Sequence, residues 1–177
     1  MSRGEGFLVV RATDLLFPTG PANYQGIDRV PPYYLDRSQN AAAMDFYVLG
    51  DCKDRETNLI PSFDAARKLA TRLSQGGARY EVICCCEGPK SPALAAVPED
   101  TVEHLGYDVA GVRGDYWSIV GDFPSSPWAD GFRSRLNEHG LFSLRADADE
   151  YLRQYTERRE PDSNAAFDVV YVARVTA

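Results

Sequence analysis

The chain has few of the groups that enzymes most often use. Of its 177 residues only two are histidine, His104 and His139, and four are cysteine. Neither GxxxxGK[ST] nor GxGxxG occurs, so the two common phosphate-cradling loops are missing. The glycines Gly111 and Gly114 lie in Gly-Val-Arg-Gly, which reads only as a turn. Glu138 precedes His139, but no HExxH helix surrounds them. A metal site would need both histidines joined to a carboxylate or a thiolate by folding. Blocks of Lys and Arg are missing too: 19 basic residues face 26 acidic ones, for a net charge of −7. Such a chain repels nucleic-acid phosphates, so nucleic acid is not an expected partner. No apolar run approaches the ~20 residues of a membrane span. The run Phe7 to Val10 is cut by Arg11 and is too short for a signal-peptide core. These absences predict a soluble cytoplasmic protein with no metal, no cofactor, no membrane partner and no assigned catalytic residue.

The cysteines are unusual in placement. Cys84, Cys85 and Cys86 are consecutive, and Cys52 stands apart. On a strand, neighbouring side chains alternate between faces, so Cys84 and Cys86 share one face and Cys85 takes the other. That spacing suits neither a zinc knuckle nor a secreted disulfide framework. It reads as three small apolar residues in a buried strand of a reduced, cytoplasmic protein. Cys52, in Gly-Asp-Cys-Lys, could pair with a histidine as a nucleophile, with Lys53 favouring the thiolate. The plainer reading is a cysteine in a turn. Likewise Asp51, Asp54, Glu56, Asp115 and Asp122 read as turn-forming or solvated charge, and Asp147, Asp149 and Glu150 as a favourable helix N-terminus.

The 44% hydrophobic content is enough to build a core. The length suits one domain, 1–177. Strands are expected at Phe7–Ala12, Met44–Leu49, Tyr80–Cys86, Asp115–Gly121 and Phe167–Val175. The last has apolar residues at both parities, which predicts a central position with both faces covered. Pro61–Gln75 is the clearest helix. Phe63, Ala66, Leu69, Ala70 and Leu73 form one stripe, Ser62 can cap it and Gly76-Gly77 can end it. A second helix should open at Ser126-Pro127, carry Trp128, Phe132 and Leu136, and stop at Gly140, with His139 favourable at its C-terminus. A third should carry Leu144, Ala148, Tyr151, Leu152 and Tyr155. Thr101–Leu105 reads as a short helical turn, and His104 as a loop surface residue. Between about 17 and 43, a Pro-, Gly- and Tyr-rich stretch reads as a long loop. Strand, helix, strand from Met44 to Cys86 points to a crossover unit, right-handed if the two strands are parallel neighbours. The expectation is an α/β domain, with α+β as the alternative. It has a mixed sheet of about five strands and roughly three packed helices.

The segment from Leu105 to Phe142 concentrates the remaining signal. It holds both tryptophans, Trp117 and Trp128, together with Tyr107, Tyr116 and His139. Aromatic residues beside turns and polar groups suggest either core or a shaped surface. As a surface, the candidate binding residues are Tyr107, Asp108, Tyr116, Trp128, Glu138 and His139.

The strings Leu105-Gly106-Tyr107-Asp108-Val109 and Arg135-Leu136-Asn137-Glu138-His139-Gly140-Leu141-Phe142, on either side of an aromatic strand, resemble a pattern in small bacterial proteins. Some of these are similar to immunity proteins of polymorphic toxin systems. The resemblance covers about the C-terminal half and transfers no catalytic role. It implies a non-enzymatic protein that binds a protein partner stoichiometrically. The acidic balance suits a basic partner. Two other expectations stand beside it. One is a small enzyme or small-molecule-binding domain with a pocket at the strand ends near Cys52 and Tyr107. The other is a subunit of a larger assembly.

Overall fold

The computed structural model describes residues 5–11, 59–77, 79–111, 117–120, 127–158 and 166–176. The long loop at 17–43, the strand expected at Met44–Leu49, the Asp51–Cys52 turn, Tyr116 and Ser126 lie outside the described residues. Five strands form one sheet: β1 (Gly6–Arg11), β2 (Tyr80–Cys86), β3 (Val102–Gly111), β4 (Trp117–Ser118) and β5 (Phe167–Val175). Their spatial order is β1-β2-β5-β3-β4. β4 has only two residues, so four strands carry the sheet. The helices are α1 (Phe63–Ser74), α2 (Pro92–Ala95), α3 (Pro127–Arg133) and α4 (Arg145–Arg158).

The protein therefore combines helices and strands as expected, but the expected mixed sheet is corrected. Every pairing among these strands is antiparallel. β2 has no parallel neighbour, because β1 and β5, both antiparallel to it, occupy its two edges. The helix count is four among the described residues.

The local chemistry explains most elements. Ser62 caps α1, its hydroxyl accepting from the Ala65 N–H at 3.4 Å. Ala66, Leu69, Ala70 and Leu73 are buried, as the stripe requires. Past the helix, Gly77 takes φ +90°, which glycine adopts at little cost. β5 is the middle strand of the order, and Val170, Tyr171, Val172 and Ala173 are all buried. Two sequence expectations fail. Residues 102–105 are strand, not helical turn, because Val102, Leu105 and Tyr107 find partners along β5 and on the sheet faces. The helix expected to run to Gly140 ends at Arg133, so His139 does not sit at its C-terminus. There the chain folds into a tight turn, in which Gly140 has φ +69° and Leu136 bridges Phe142.

All four helices lie on one face of the sheet. α1 and α2 cover Phe7, Val82, Cys84, Cys86, Ala173 and Val175. α3 and α4 cover Val109 and Val169 through an aromatic cluster centred on Tyr151, whose hydroxyl donates to the Ile119 carbonyl at 3.2 Å. Burying a ring of this size contributes about 3 kcal/mol. The other face buries Ile83, Cys85, Val170 and Val172 with Leu59 and Leu141. At one end of that face, Arg174 reaches Glu81 at 2.9 Å and Glu103 at 2.8 Å, joining three adjacent strands. Among the described residues, no helix is long and apolar enough to cross a membrane.

Candidate ligand cleft

Between β2 and β3 the chain crosses the helical face of the sheet as an arch, from Glu87 to Thr101. Proline supplies its backbone restriction and serine its cap. Pro92 opens α2, and the buried Ser91 accepts from the Leu94 N–H at 3.3 Å. Leu94 and Val97 anchor the arch in the core. Both ends are tied. Arg145 donates to the Glu87 carbonyl at 2.8 Å, and the Thr176 N–H donates to the Thr101 carbonyl at 2.9 Å. Between the arch and β3 lies a cleft of about 520 Å³. Pro89, Lys90 and Ser91, from the start of the arch, line it. Leu94, Ala95 and Val97 form its apolar side, while Glu99, Val102 and His104 complete it.

The sheet beside the cleft, which contributes Val102 and His104 to its lining, is ordered by strand register. Cys86, Tyr171 and Tyr107 form one row across β2, β5 and β3. Cys84, Ala173 and His104 form the next, and Val82, Val175 and Val102 the one after. The small Ala173 between His104 and Cys84 leaves room for the Tyr171 ring to lean over. Its hydroxyl meets His104 Nδ1 in a hydrogen bond. The rings stand 5.8 Å apart, and Tyr171 also packs on Tyr107 at 5.1 Å. Burial, reinforced by Tyr107 and the nearby thiols, pushes the Tyr171 phenol up to about 12. The phenol thus stays protonated and can donate to the imidazole Nδ1.

Two thiols lie on the same face of the sheet, Cys84 and Cys86 of β2, and the Cys86 thiol donates to the Gly88 carbonyl at 3.3 Å. The neighbouring Cys84 makes Cys86 the easier of the two to ionise, helped by Ser91 and the Gly88 backbone. Cys86 in turn, together with burial, pushes Cys84 up. Cys84, Cys85 and Cys86 are free thiols and buried, as the strand reading required.

The residues expected to bind a partner are spread out. Tyr107 packs on Tyr171, which bonds the cleft residue His104. Asp108 points to the opposite face, is fully buried, and accepts from the Val109 N–H at 2.8 Å. Trp128 is half-buried, stacked on Tyr151 at 5.6 Å under the Arg158 guanidinium. Glu138 and His139 are adjacent on the turn after α3, 3.7 Å apart. Phe132, Phe142 and Tyr151 are core. Among the described residues of this set, Glu138 and His139 are adjacent, while Tyr107 and Asp108 lie on opposite faces of β3. His104, Lys90 and Glu99 were not singled out for a site by sequence. The available signal was the alternation of Val102 and His104 directly after a Pro-capped arch. No family model, curated protein or solved structure matches the chain.

Proposed function

We propose that the chain is a small-molecule-binding domain whose site is the cleft between the arch and β3. The observation that carries this reading is the His104–Tyr171 hydrogen bond at the wall of a cleft of about 520 Å³. That volume lies in the ordinary range for ligand sites, and a mainly apolar wall with a few fixed polar groups is their usual composition. Tyr171 fixes the imidazole, so His104 offers one oriented donor to a ligand acceptor. The buried thiols of β2, none in a disulfide, suit a reducing, cytoplasmic setting.

A thermal-shift screen of small polar and amphipathic compounds tests the reading. Compounds that stabilise the protein should lose most of their effect in His104→Ala and part of it in Tyr171→Phe. Hits that stabilise both variants as well as the parent would overturn it.

A protein-docking, immunity-like role is a second reading. It is favoured by the exposure of Glu138, whose side chain is 85% accessible beside His139. A protein partner whose binding is weakened by Glu138→Lys and unaffected by His104→Ala would support that role instead.

A further inference from the structure

The arch brings two residues of opposite charge to the cleft, Lys90 near its start and Glu99 near its end. It leaves β2 beside the Cys86–Tyr171–Tyr107 row and enters β3 beside the Val82–Val175–Val102 row. Lys90 follows its start, and Glu99 stands just before Val102. Both side chains belong to exposed residues lining the cleft. Four residues of β5 separate the two rows, roughly 13 Å at strand rise. The same cleft is lined by the apolar side chains of Leu94, Val97 and Val102 and by His104.

Resting on the reading of this cleft as a ligand site, we propose that it takes a short zwitterionic peptide, about dipeptide-sized, with one apolar side chain. The carboxylate pairs with Lys90 and the ammonium with Glu99. The apolar side chain lies along Leu94 and Val97, and the peptide carbonyl accepts from the His104 imidazole. Size follows from geometry. An extended peptide advances roughly 3.5 Å per residue, and flexible Lys and Glu side chains cover the remaining span. Charge argues the same way. The chain carries −7 overall, which repels a simple anion at long range, whereas a zwitterion has no net charge to repel.

Titration of the full chain with the dipeptide Val-Leu, followed by amide NMR shifts, tests this. Its N-acetyl, C-amide and doubly blocked forms are run in parallel. The free dipeptide should shift residues 89–104 and bind best, with each block weakening binding about fivefold. In Lys90→Ala the C-amide penalty should vanish, and in Glu99→Gln the N-acetyl penalty should vanish. Both positions are exposed, so the fold is not at stake. If the doubly blocked form binds the cleft as well as the free one, or if only other small molecules shift the cleft, the zwitterion assignment is wrong and the cleft reading stands. If no compound shifts the cleft, both fail.

Discussion

Two residues after α3 and within β3 hold more of the fold than their size suggests. Gly106 sits at the bulge in β3 with φ +139°, and a Cβ there would lie 2.7 Å from the Phe142 carbonyl oxygen. Gly106→Ala should therefore lose about 3 kcal/mol in a denaturant melt, combining backbone strain with a backbone clash. Gly77 is the control. Its φ is +90° but nothing lies within 4 Å, so Gly77→Ala should cost only about 1 kcal/mol. Asn137 locks the neighbouring turn. Its amide donates to the Leu105 carbonyl at 2.7 Å, and its oxygen accepts from the His139 and Leu141 N–H groups at 2.9 and 3.2 Å. Asn137→Ala should destabilise by about 2 kcal/mol, since it strands part-buried backbone groups. Tyr171 gives a pH test. Its native phenol titrates near 12 against a reference of 10.0, so the native state keeps a proton that the unfolded chain releases. The contribution is complete below the lower value and is lost as pH climbs through this window. Denaturation midpoints of the parent and Tyr171→Phe should diverge in slope there. Parallel profiles would show that the phenol is not held in this way.

Among the elements, legibility tracked how much of the signal was local. α1 was readable because its stripe, its Ser62 cap and its terminal glycines all lie within about fifteen residues and agree with one another. Ser62→Ala should cost about 1 kcal/mol and should lower α1 protection in hydrogen exchange. β2 and β5 were readable because both parities are apolar, the mark of a strand covered on two faces. β3 was harder. Its first half reads Val-Glu-His-Leu-Gly, and its strand state depends on pairing with β5, some seventy residues away. The same reason hid the site. His104 becomes a cleft residue only when β5 places Tyr171 diagonally across a small Ala173. The helix after Pro127 was overextended because Leu136 continues its apolar spacing. In the structure that side chain bridges to Phe142 instead, and Asn137 takes over the backbone. In α4 the expected stripe began at Leu144, which lies outside the helix and is 63% exposed. Its anchors are Ala148 and Tyr151. Tyr151→Ala should cost about 4 kcal/mol, because a fully buried ring is removed from the centre of the aromatic cluster.

At the scale of the whole molecule, the described residues form an antiparallel sheet with its helices gathered on one face. β5, last in sequence, enters between β2 and β3. That insertion separates β2 from β3, and the connection between them has to pass over β5. The arch and its cleft are the outcome of this topology. Ligand binding there should stiffen the arch against the sheet, and the chain ends of the arch are already tied by Arg145 and Thr176. The most direct measurement is an amide NMR map of the isotope-labelled full chain during a small-molecule fragment screen. The account predicts that binders cluster their shifts on residues 89–104 and on Tyr171, and that His104→Ala abolishes the cluster. Shifts gathered instead around Glu138 and His139, or no reproducible shifts on the arch from any fragment, would contradict it.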